Sequence, residues 1–128
     1  MLRSWSIGAC TGLILSGAAI AQTPPTAARI ACDKYAAPAF AKDKEYAKGN
    51  LAFDCACVSG FLIGRYGAAE AEIIVRIFAA AAVESAEQAQ AVATEFGPEA
   101  MKKLIAKVGK FQDVGREMDK ACPAIRKP

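Results

Sequence analysis

Four cysteines carry the spacing in this sequence that most invites a chemical reading: Cys32, the close pair in Asp54-Cys55-Ala56-Cys57-Val58, and Cys122. A redox-active dithiol needs an exposed thiolate of low pKa and a labile disulfide. The usual two-residue spacing of such sites is absent here. Asp54, the immediate neighbour, would raise a thiol pKa rather than lower it. A zinc site of four thiolates fits poorly too, because zinc ligands usually pair through two to four intervening residues. The remaining use is structural. Residues two apart on a helix point about 200° away from one another, so Cys55 and Cys57 cannot readily join each other. Each is expected to reach a distant partner, Cys32 for one and Cys122 for the other. Both assignments, 32–55 with 57–122 and 32–57 with 55–122, satisfy that argument. In the first, loop closure would contribute about 3.4 and about 4.3 kcal/mol. The crossed arrangement changes those figures little.

The other chemistry-bearing residues are few. The chain of 128 residues contains no histidine. That excludes Ser-His-Asp and Cys-His nucleophile pairs, His-ligated metals and an imidazole proton shuttle. Ser59 and Ser85 are the serines left once the first 21 residues are set aside, and neither lies in a nucleophile elbow. The acidic residues are scattered at spacings that suit exposed helix faces rather than a paired-carboxylate centre. No phosphate-cradling glycine loop, calcium loop or haem-attachment sequence is present. No catalytic residue, metal ligand or cofactor is therefore assigned.

Lys103, Lys107 and Lys110 fall at helical spacing and form a candidate anion-binding face. They lie in a segment, residues 101–128, with eight basic and three acidic residues. Residues 68–100 carry six glutamates against Arg76 alone. A solvated basic face whose field complements the acidic helices of the same molecule is the favoured reading. No aromatic residues interleave the lysines as stacking platforms for nucleic acid would.

These residues must be positioned by helices. Met1 to Ala21 has Arg3 at its start, an apolar stretch from Trp5 to Ile20, and small residues at Ala19 and Ala21. This is the pattern of a cleavable signal peptide, with cleavage expected between Ala21 and Gln22. A retained anchor is the other use of such a run, but Gly8, Gly12 and Gly17 and the lack of a following basic cluster argue against it. Residues 22–128 then form a single domain with four cysteines, no tryptophan, 15 basic and 13 acidic residues. An even cysteine count in a small exported chain is the signature of a disulfide framework.

Thr26 caps a first predicted helix from Ala27 to about Ala37, interrupted by Pro38, and Gly49-Asn50 marks a loop. Asn50 is read as the N-cap of a helix from Leu51 to about Tyr66. Its apolar stripe is Leu51, Cys55, Val58 and Leu62. Ala52, Ala56, Gly60 and Gly64 form a second row at i+4 spacing. Glycine in a helix costs about 1 kcal/mol relative to alanine, so this row is expected to mark close packing against another helix. After Gly67, a helix runs from Ala68 to Val83, with Ile73, Ile74, Ile77, Phe78 and Ala81 as its core face and a Glu72–Arg76 pair opposite. Ser85-Ala86-Glu87-Gln88 reads as a capping box for a helix ending near Phe96. Gly97 stops it, and Pro98 begins a last segment through Met101, Leu104, Ile105, Val108, Phe111, Met118 and Cys122, to be kinked or divided at Gly109 or Gly115. No stretch has sustained period-two alternation, so essentially no sheet is expected.

In size, export and helical content the chain resembles small periplasmic acid-stress chaperones of the HdeA type. One cysteine near the mature start and one near the end, Cys32 and Cys122, correspond to that pattern. Cys55 and Cys57 have no counterpart in it, so no site residue is carried over.

The expected protein is all-α: a small bundle of four to five helices stapled by two disulfides, non-enzymatic, and exported to the bacterial periplasm or beyond. It would act as a binding or accessory module of the envelope with protein partners, without nucleic acid or a stable membrane span. A periplasmic holdase is the alternative, and a thiol-disulfide redox protein using Cys55 and Cys57 a third reading.

Overall fold

A computed structural model describes residues 24–128. The expected signal peptide and its cleavage site lie outside the described residues. Seven helices and one pair of short strands make up the described chain, in place of four to five helices and no sheet.

The first helix, α1, spans residues 27–41. Thr26 caps it, its hydroxyl accepting from the Arg29 N–H. Pro38 does not break this helix. A π turn over Cys32–Ala36 precedes it, and the Ala37 N–H donates to the Cys32 carbonyl. The wider turn gives the proline ring room and leaves its missing N–H harmless, so the helix continues through Ala37–Ala41. A short helix, α2 (Lys44–Lys48), follows, capped by Asp43, whose carboxylate accepts from the Glu45 and Tyr46 N–H groups. Its five residues carry no apolar periodicity that would mark a helix in the sequence.

Asn50 is not a helix cap. It takes a positive φ of 53°, and the next two residues form strand β1 (Leu51–Ala52). β1 pairs antiparallel with β2 (Ile125–Arg126), Leu51 opposite Arg126 and Ala52 opposite Ile125. Helix α3 therefore begins later, at Cys55–Tyr66, with Asp54 accepting from the Cys57 N–H. Asn50 and Asp54 are both good capping residues. Pairing of Leu51 and Ala52 with a distant strand decides between them, which local pattern cannot show.

Helix α4 (Ala68–Ala82) is the centre of the molecule, with α1, α3 and α5 packed against it. Its buried residues are Ala71, Ile73, Ile74, Val75, Ala79 and Ala80. Ile77 and Phe78 are only partly buried and Ala81 is exposed, so the core face is turned from the expected one toward the alanines. Small side chains let several helices approach α4 at once. Helix α5 (Ala86–Phe96) keeps its expected bounds, with the Ser85 hydroxyl accepting from the Gln88 N–H. The last expected segment begins at Pro98 as expected but is divided, its first part being α6 (Pro98–Val108). Gly109, at φ 73°, ends α6, and α7 (Phe111–Ala121) runs uninterrupted through Gly115. Leu62, Ile74 and Leu104 are fully buried and join the helices in one core. Phe40 and Phe53 stack at 4.3 Å beside it, joining α1 to the start of α3.

Candidate functional site

The four cysteines form two disulfides, Cys32–Cys55 and Cys57–Cys122, which chooses between the two expected connectivities. Cys55 is the first residue of α3 and Cys57 the third, so they leave the helix on different sides. Cys55 turns inward to α1, where Cys32 is fully buried. Cys57 turns outward to the end of α7, and its sulfur lies 3.5 Å from the Ala121 carbonyl oxygen. The first turn of α3 is held further by the Asp54 cap, 3.2 Å from the Cys57 amide nitrogen, and by Ser59, whose hydroxyl donates to the Cys55 carbonyl at 2.8 Å. Burial shields the Cys32–Cys55 bridge from external thiols, while Cys57 is partly exposed. Together the bridges fasten α1, α3 and α7 to one another. Among the described residues, no cluster of potential metal ligands is present.

The row Ala52, Ala56, Gly60 and Gly64 does not make the expected close helix contact. Ala52 lies in β1, and Ala56, Gly60 and Gly64 are exposed. A Cβ added at Gly60 or Gly64 would meet nothing within 4 Å among the described residues. The buried side of α3 is the cysteine side, Cys55, Val58, Ser59 and Leu62, which leaves the small residues facing outward.

Nor do the three lysines share a helix face. Lys103 and Lys107 lie on α6, whereas Lys110 stands beyond the Gly109 break as the first flanking residue of α7. Lys107 is committed elsewhere: it donates to the Tyr66 carbonyl at 3.2 Å and pairs with Glu70 at 3.4 Å. It caps the C-terminal end of α3, where a cation complements the exposed carbonyls. The nearby groove, about 570 Å³, carries both signs of charge, including an ion pair between Arg65 and Glu117.

A different cluster emerges on the face shared by α1, α4 and α5. The expected pairing of Arg76 with Glu72 is replaced by a bidentate one with Glu95, at 2.9 and 3.1 Å. This pair clips α4 to α5. It raises the Arg76 pKa through the hydrogen bond to Glu95, and the same bond lowers that of Glu95. The guanidinium also lies 4.2 Å from the centre of the Tyr35 ring, which is itself exposed. Two hollows of about 250 Å³ each flank this stack. One is floored by Ala79 and Val92; the other lies between Ile30 and Glu95. The sequence held one clue, that Arg76 is the single base among six glutamates. Its partner 19 residues away required the fold.

Comparison of the chain with protein-family models, with curated proteins and with solved structures finds no match.

Proposed function

We propose that the protein is a small exported, non-enzymatic helical module of the bacterial envelope that offers a pre-organised face to a protein partner. The Tyr35–Arg76 stack is the observation that carries this reading. Tyrosine and arginine are enriched where interfaces concentrate their binding energy, and an anchor held rigid before binding loses little entropy on binding. Here Arg76 is fixed by two hydrogen bonds to Glu95 and Tyr35 rests on its guanidinium, with a hollow on either side to receive partner side chains. Exposed Ile30, 53% accessible, extends the same face. The two disulfides support the export reading.

The test is a photo-crosslinking amino acid placed in living cells at Ile30, with the exposed Gly60 of α3 as comparison. The module reading expects one discrete adduct from position 30 that disappears on Tyr35→Ala. Equal labelling from both positions, or an adduct indifferent to Tyr35, contradicts it.

One observation favours the holdase alternative. The α5–α6 hairpin carries no cysteine and is held by side-chain contacts alone, including Val92 and Leu104, so it is the part that could lift to expose apolar core. Suppression of client aggregation across pH distinguishes this reading from the module. With no histidine, its trigger would have to titrate carboxylates.

A further inference from the structure

We propose that the end of the molecule built from α2, the β1–β2 pair and the last turn of α7 docks on an anionic lipid surface. The fold gathers this end from two remote parts of the sequence. Arg126 pairs with Leu51 across the strands, and the Lys127 N–H donates to the Asn50 carbonyl at 3.0 Å. Helix α2 leads directly into that turn, with Lys44 and Lys48 one turn apart on one side of it. The Cys57–Cys122 bridge holds the end of α7 against the first turn of α3, just after β1, which brings it to the same end of the molecule.

Six exposed bases lie on these segments and the residues flanking them: Lys42, Lys44, Lys48, Lys120, Arg126 and Lys127. Among the described residues, none of them belongs to an ion pair. Of the acids nearby, Asp43 and Asp54 are folded back on the first turns of α2 and α3 as caps. These caps keep their negative charge, so with Glu45 and Asp119 four acids stand against six bases and the bases remain in excess. Beside Arg126 on β2 stands Ile125, 46% accessible. An exposed apolar side chain followed by two bases suits a surface with phosphates above and hydrocarbon beneath, where the lysine stems can bury while their ammonium groups stay at headgroup level. Nucleic acid fits less well. The ring available, Tyr46, is half-buried and set against Phe40 at 5.6 Å, so no free platform is offered to a base.

The test is co-sedimentation of the oxidised protein with vesicles of equal parts phosphatidylglycerol and phosphatidylcholine, against phosphatidylcholine alone. Binding is expected to the anionic vesicles and to weaken steeply with added salt. Lys48→Gln with Lys127→Gln removes two charges and is expected to weaken partitioning about 25-fold, at about fivefold per charge. Lys102→Gln with Lys103→Gln makes the same change on α6, toward the opposite end of α3, and is expected to cost less than about twofold. Ile125→Ser is expected to weaken binding about tenfold at low and high salt alike. Unchanged circular dichroism in each variant separates these effects from unfolding. The proposal is overturned by equal binding to neutral vesicles, by no binding at low salt, by equal loss in the α6 variant, or by binding to heparin without binding to vesicles.

Discussion

Cys55 and Cys57 stand two residues apart on the first turn of α3 and are bonded to opposite ends of the described chain, Cys55 to Cys32 in α1 and Cys57 to Cys122 after α7. One helical turn thereby gathers three helices. The close spacing that suggests a dithiol is, in the fold, the means by which one helix is fastened on two sides.

Removing either bridge should therefore destabilise without rearranging. Replacing both Cys57 and Cys122 by serine is expected to cost about 2–5 kcal/mol, read as a lowered denaturation midpoint. Far-ultraviolet circular dichroism in buffer should keep its helical signature, because the buried core through Leu62, Ile74 and Leu104 remains.

The glycines divide by conformation. Gly60 and Gly64 have ordinary helical backbone and open space around a would-be Cβ, so Gly60→Ala and Gly64→Ala are each expected to stabilise by about 0.5–1 kcal/mol. Gly109, at φ 73°, is expected to respond in the opposite sense, with Gly109→Ala costing about 1 kcal/mol or more. Denaturant titration of the three variants checks both signs. Destabilisation at Gly60 would mean that this face is covered after all.

The Arg76–Glu95 clip gives a definite pH dependence. The hydrogen bond to Arg76 holds the Glu95 carboxyl below the usual glutamate value of about 4.3. A carboxylate whose pKa is depressed by folding adds stability above its unfolded pKa and loses it as pH falls through the folded one. The contribution is thus complete near neutrality and fades below about pH 4. Glu95→Gln is expected to narrow the gap between denaturation midpoints measured at pH 7 and at pH 3.

Leu104 is the buried anchor by which α6 meets the core, with no accessible surface. Leu104→Ala is expected to cost about 2–5 kcal/mol. Hydrogen exchange should show the loss concentrated in α5 and α6, the part without a covalent tie, before it reaches α3.

Much of the architecture is legible from local signals. Thr26, Ser85, Gly97 and Pro98 mark helix ends because capping and backbone restriction act within a few residues. The cysteine spacing points to structural bridges for a similarly local reason. What local signals miss depends on remote partners. Asn50 gives way to Asp54 as the cap of α3 because Leu51 and Ala52 find strand partners at Arg126 and Ile125. Pro38 is carried through α1 by a π turn that no propensity announces. Arg76 takes Glu95 rather than Glu72, since a neighbouring helix offers a bidentate geometry. The row of small residues on α3 has the spacing of a packing ridge. Its direction is set by which side the disulfides draw inward.

The most direct test of the account is an intact-mass measurement with non-reducing peptide mapping on the protein taken from the cell envelope. The account predicts a chain beginning at Gln22, four blocked thiols, and two linked peptide pairs joining Cys32 to Cys55 and Cys57 to Cys122. A free thiol at Cys57 or Cys122, crossed pairs, or a chain still carrying residues 1–21 would contradict it.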